Sequence, residues 1–154
     1  MFVNKTDSSA PICQVDFQGL FGQGSRVIDE ILKKMADKNW SDRDIFAVNM
    51  ALEESITNAI EHGNRRDPQK KVQVRYSVQN DKVFISVRDE GSGFDSRIIP
   101  DPRSKENIDK PSGRGVLLIH GFMTKVWYNQ NGTELFMEKD RSEQYTDDQK
   151  AQNY

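Results

Sequence analysis

The chain has 154 residues, 35% apolar and 30% charged, which suits one domain with enough apolar content for a real core. A net charge of −2 and an isoelectric point near 5.7 give no electrostatic reason to expect nucleic acid or an anionic membrane as partner. No apolar run approaches the length of a membrane span and the N-terminus lacks the apolar core of a signal peptide, so a soluble, cytoplasmic protein is expected.

Residues 1–11 read as an N-terminal extension. "ICQVDF", residues 12–17, alternates apolar and polar residues and predicts a first strand. Cys13 alternates there with Val15 and Phe17, on the inward side; as the only cysteine it forms no internal disulfide. After Gly22 and Gly24, "SRVIDEILKKMADK" repeats Ile28, Ile31, Leu32 and Met35 at helical spacing. A second helix starts at Ser41, whose hydroxyl can cap it, with Asp44 where a capping box puts its acid. Ile45, Val48, Leu52, Ile56 and Ala59 form its apolar stripe until Gly63 stops it. The opposite face of "ALEESITNAIEHGN" carries Glu54, Thr57, Asn58 and Glu61, which alone reads as an ordinary solvated face.

Two strands follow, "KVQVRYSV" and "KVFISVR", turning at Asn80-Asp81. Extending the second alternation places Asp89 on the inward side, where an unpaired carboxylate is costly. It is either a strand-end residue bonding the next turn or a polar group at the floor of a pocket. Residues 94–112 contain Pro100, Pro102 and Pro111 with no clear periodicity, and predict a long loop of the lid type. "SGRGVLLIHGFM" then opens a helix from a glycine-rich turn. "KVWY" and "TELFMEK" form a last hairpin through Asn131-Gly132, and 141–154 reads as a disordered tail.

The chemistry-bearing residues fall in a fixed order. Glu54 and Asn58 are four apart on one helical face. Asp89-Glu90-Gly91-Ser92-Gly93 closes a strand, and Gly113-Arg114-Gly115 stands where the lid meets a helix. Glycines let backbone approach a ligand, a helix N-terminus favours phosphate, an amide oxygen suits Mg²⁺, and a nearby carboxylate can deprotonate a nucleophile. Each piece is common; the ordered set is more specific.

In this order the motifs resemble the GHKL superfamily, whose Bergerat ATP-binding fold is shared by DNA gyrase B, heat-shock ninety chaperones, histidine kinases and mismatch-repair ATPases. Within it the short chain most resembles the anti-sigma-factor serine/threonine kinases of bacterial stress and sporulation control. "ALEESITNAIEHGN" is similar to their N box, "RDEGSGFD" and "SGRGVLLIHGFM" to their glycine boxes, and "NGTELFMEKD" to their last hairpin. One position departs, since sporulation-type members carry an arginine before the "SG" where this chain has Pro111 after Lys110.

The resemblance implies an α+β fold, a two-layer α/β sandwich over residues 12–140 whose mixed, mostly antiparallel sheet is covered on one face by helices. It implies ATP and Mg²⁺ as cofactors, with Asn58 as metal ligand and Glu54 as catalytic base. Asp89 would accept from the adenine amino group, supported through water by Thr133. Gly91 and Gly93 would give the nucleotide room, and Gly113, Arg114 and Gly115 would hold phosphate. The implied function is phosphorylation of a serine or threonine on an anti-anti-sigma (STAS-type) antagonist, controlling a sigma factor by partner switching, in a homodimer. The alternative is a non-catalytic module that binds ATP, or no nucleotide, and sequesters its partner. A two-component histidine kinase fits less well, because no helical hairpin with a phospho-accepting histidine precedes the N box; His62 and His120 read as surface or packing residues.

Overall fold

The computed structural model describes residues 10–19, 21–95 and 111–143. Most of the expected N-terminal extension, residues 96–110 of the expected lid (94–112) and residues 144–154 of the expected tail (141–154) lie outside the described residues. Pro111 and Ser112, expected in the lid, begin a helix. The elements are β1 (Cys13–Gln18), α1 (Phe21–Asp37), α2 (Asp42–Asn58) continued by a π-helical turn (Ala59–Gly63), β2 (Lys71–Val78), β3 (Lys82–Arg88), α3 (Pro111–Phe122), β4 (Lys125–Tyr128) and β5 (Glu134–Asp140).

The five strands form one sheet in the order β1-β2-β3-β5-β4. Every pairing is antiparallel. Val72, Val74, Tyr76, Val83, Ile85, Val87, Leu135 and Met137 face inward and share one core with Val27, Ile31 and Met35 of α1, Val48, Leu52 and Ile56 of α2, and Ile119 of α3. This is the α+β, two-layer arrangement expected, with the helices on one face. On the other face Trp127 stacks on Phe136 at 5.4 Å, and Arg75 pairs with Glu134 at 2.7 Å.

Period-3.6 patterning accounts for the helices, and tertiary contacts adjust their ends. α1 begins at Phe21, so Gly22 and Gly24 lie inside it rather than ahead of it. A Cβ at Gly24 would lie 3.0 Å from Ile56 Cγ2 and 3.5 Å from Phe17 Cζ, so the missing side chain lets the first turn of α1 close on α2 and β1. α2 starts as expected: Ser41 is extended (φ −64, ψ 151) and its Oγ accepts the Asp44 N–H at 3.2 Å.

The Asp44 carboxylate, 1% exposed, points to the far end of the chain. It accepts the Ser142 N–H at 3.0 Å and the Ser142 hydroxyl, with Lys139 Nζ at 3.8 Å. Burial acts to raise its pKa, but Ser142, Lys139 and Ser41 together hold it below the ordinary value. Arg141 also donates to Asp81 O and Lys38 O, so these first residues of the segment read as tail are tied to the domain. Cys13 is half-buried, with Lys34 Nζ donating to its Sγ at 3.5 Å.

α2 does not run to Gly63 as a plain helix. Its last turn widens, with Asn64 N–H reaching Ala59 O at 2.8 Å and Arg66 N–H reaching Ile60 O at 2.8 Å. Asn64, 1% exposed, then fastens the sheet: Nδ2 donates to Lys71 O at 2.9 Å and Oδ1 accepts the Glu90 N–H at 2.8 Å.

Candidate functional site

Glu54 and Asn58 end α2 on one face, and α3 packs across that face. A Cβ at Gly115 would lie 2.7 Å from Glu54 Oε2, 3.1 Å from Asn58 Nδ2 and 3.5 Å from Asn58 Oδ1. Helix backbone therefore rests directly on the carboxylate and the carboxamide, which no residue with a side chain permits undisturbed. Both groups are half-buried.

Past the π-helical turn lies the second half of the site. Asp89 follows β3 and its N–H donates to Thr133 O at 2.9 Å. Its Oδ1 accepts the Gly91 N–H at 2.8 Å, while Oδ2 lies over Gly63, where any Cβ would collide with it. The two sequence readings of this residue thus coexist: it bonds the following turn and it faces inward. Burial raises its pKa, and the Gly91 N–H and the Lys70 charge offset this only in part. Tyr128 stands close enough that burial, with the Asp89 charge adding, pushes its hydroxyl up to about 12.

The first glycine stretch is wedged between two loops. A Cβ at Gly91 would collide with Gly63 O, and one at Gly93 with Asn131 O. Gly93 also needs the left-handed region (φ +69), where L side chains are strained. Thr133 sits at the β4–β5 turn; its Oγ1 accepts from Asn129 Nδ2 at 3.0 Å and its N–H donates to Asn129 Oδ1 at 2.9 Å. That turn closes with a Gly132 N–H to Asn129 O bond of 3.1 Å.

The structure thus joins Glu54, Asn58 and Gly115 in one contact group and Asp89, Gly91, Gly93 and Thr133 in another. One continuous helical segment, Asn58 to Gly63, links them. Gly113 and Arg114 lie inside the first turn of α3 rather than in a turn before it, where helix N–H groups have no intrahelical acceptor. The Arg114 side chain is not among those described, and His62 and His120 are exposed. Sequence reasoning took Gly63 only as a helix stop and passed over Asn64 and Tyr128. "HGN" directly after the polar helical face was the available signal.

The donor set bears on a metal. Among the described residues no cluster of three or more His, Cys, Asp or Glu could hold an ion. A cation here would take the Asn58 oxygen and complete its shell with phosphate oxygens and water. That is the habit of Mg²⁺, so the residues fit it. Among the described residues no helix is long and apolar enough to cross a membrane.

A helix-covered antiparallel sheet, with a polar helix face closed by glycine backbone and a carboxylate at a strand end, defines a histidine kinase-like ATP-binding type of domain. Residues 23–139 match the family model described as Histidine kinase-like ATPase domain, and the chain belongs to that family. It is 31% identical over 109 residues to an anti-sigma F factor of Oceanobacillus iheyensis, covering 67% of this chain and 74% of the relative. It is 30% identical over 105 residues to the serine-protein kinase RsbW of Staphylococcus aureus, covering 62% and 65%. Its fold is similar to the solved structure of the RsbU and RsbW domains of Rv1364c from Mycobacterium tuberculosis, with a TM-score of 0.59 and 17% identity, covering 87% of this chain and 33% of that one.

Proposed function

We propose that the protein is a cytoplasmic anti-sigma regulatory kinase. It binds MgATP, phosphorylates a serine or threonine of an anti-anti-sigma (STAS-type) antagonist, and holds a sigma factor when the antagonist is absent, as a homodimer. The observation that carries this reading is the packing of Glu54 and Asn58 against Gly115, in a chain similar to proteins named anti-sigma F factor and serine-protein kinase.

Each residue then has a definite task. Asp89, half-buried and holding the Gly91 N–H, accepts from the adenine amino group, with Thr133 beside it. Gly91 and Gly93 let the backbone at Gly63 and Asn131 close in so that the nucleotide has room beside it. The first turn of α3, at Gly113, Arg114 and Gly115, offers N–H groups to phosphate. Asn58 holds the metal, which when bound neutralises charge on the phosphates. Glu54 takes the proton of the acceptor hydroxyl. The acceptor oxygen forms its bond to the γ-phosphorus, the bond to the β–γ bridging oxygen breaks, and ADP leaves with that electron pair.

Calorimetric titration with ATP, with and without Mg²⁺, tests the site without knowledge of the partner. Wild type binds ATP more tightly with Mg²⁺, and Asn58→Ala loses that dependence. Unchanged metal dependence in the mutant would remove Asn58 as ligand. Absence of ATP binding by wild type would shift the reading to a module that sequesters its partner without nucleotide.

A further inference from the structure

Phe46 on α2 is 56% exposed, and Leu117 and Leu118 on α3 are 40% and 41% exposed. Single exposed apolar residues are ordinary, but these are not isolated. The Phe46 ring meets Phe122 edge to face at 5.9 Å. Glu54, two turns further along α2, meets Gly115, two turns back along α3. The two helices therefore cross antiparallel, with an aromatic pair at one end of their seam and the Glu54–Asn58 pair at the other.

Helical spacing fills the space between. Half-buried Met50 falls four residues after Phe46 and four before Glu54, and Leu118 falls between Gly115 and Phe122. Phe46, Met50, Phe122 and Leu118 line the outer side of the seam and lead up to the carboxylate. On the inner side the route to Glu54 is closed: Oε2 abuts the Gly115 backbone, and Ile119, one turn on, is fully buried in the core. A hydroxyl that approaches Glu54 along the outer side of the seam passes over the apolar rim. Nucleotide phosphates need N–H groups and a cation, which this rim does not offer; an apolar strip of that kind suits a protein surface.

Building on the kinase reading, we propose that the α2–α3 seam is the docking surface for the phosphoacceptor protein. The acceptor seats an apolar side chain on Phe46, Leu118 and Phe122, about 12 Å along α2 from the hydroxyl it presents to Glu54. This spacing sets which hydroxyl of the acceptor is used.

The probes are the purified anti-anti-sigma domains encoded in the same genome, assayed for binding by calorimetry and for phosphoryl transfer from MgATP. Phe46→Ser and Leu118→Ser each raise KM and Kd for the acceptor at least tenfold, leaving kcat and MgATP affinity unchanged. They lower the melting temperature by no more than loss of the Phe46–Phe122 contact and of helix propensity requires. Phe46→Leu keeps KM within threefold, and Ile12→Ser, an exposed apolar residue beside β1, leaves it unaltered. Seam variants with wild-type KM and Kd would overturn the proposal. Wild type that binds an acceptor but transfers nothing would instead refute the kinase reading, and the Kd of the seam variants would still decide the docking surface. Wild type that binds none of the domains overturns both.

Discussion

Gly115→Ala separates the fold's interest from the site's. The position is inside α3, where alanine gains about 0.5–1 kcal/mol over glycine through reduced backbone freedom in the unfolded chain. For a domain of this size that raises the melting temperature by about 2–6 °C. The steric cost falls on Glu54, because the new methyl would lie 2.7 Å from Oε2 where ordinary contact begins at 3.4 Å. A carboxylate at the end of a flexible side chain yields by about 1 Å at little energetic cost, but a displacement of that size costs about 100-fold in a positioned reaction. Asn58 Nδ2, at 3.1 Å from the same methyl, is also crowded. The expected variant melts higher and transfers phosphate about 100-fold more slowly, with Glu54→Ala as the floor of the assay. Gly121→Ala is the control, since a Cβ there meets nothing within 4 Å. Full transfer by Gly115→Ala, or a loss of transfer matched by a fall in melting temperature, would refute the reasoning.

Asp89→Asn weakens ATP at least tenfold while leaving GTP affinity little changed. Because burial raises the folded pKa of Asp89, its charge opposes folding at neutral pH, so the variant melts no lower than wild type at pH 7. Equal ATP affinity in both proteins would contradict the adenine role. Asp44→Asn has the opposite sign. The folded pKa of Asp44 lies below 3.8, so its charge contributes stability that is fully present above that pH and is lost as pH falls through the folded value. Urea melts at pH 7 show a deficit of about 2 kcal/mol for Asp44→Asn, in the range for hydrogen bonds to charged groups, and the deficit shrinks toward pH 3. A deficit that is constant with pH would mean the charge is not the cause.

Local patterns carried most of the fold. The Ser41 cap, the α2 stripe and the alternation in β2 and β3 each depend on residues within a few positions, so their signals survive in the bare sequence. The misplaced start of α1 shows where such signals fail: Gly22 and Gly24 look like helix breakers locally, but Gly24 is where α1 closes on Ile56 and Phe17. The second partner of Asp44 is equally invisible, because Ser142 is 98 residues away. Gly63, at the end of the helix-widening turn after Asn58, lies over Asp89, a contact between segments the sequence keeps apart. For the candidate site, four-residue spacing was enough to put Glu54 and Asn58 together, and strand alternation was enough to turn Asp89 inward. That Gly115 would close on the first pair, and Gly63 on the second group, required the packing of α3 and the π-helical turn.

Asp44 and Asp89 show how differently two inward-facing carboxylates are compensated within one fold. Asp44 accepts the N–H and the hydroxyl of Ser142 and lies beside the Lys139 charge, and its pKa falls despite full burial. Asp89 is half-buried, yet its pKa rises, because burial outweighs the Gly91 N–H, its one direct donor among the described residues, and the Lys70 charge. Burial without compensation costs stability, and a fold under no other constraint would remove it or complete it. Glycine at 63 and at 91 instead lets backbone close directly on Asp89. A ligand N–H donated to that carboxylate would offset the cost of its partial burial, so part of that cost returns as binding free energy for the proposed adenine.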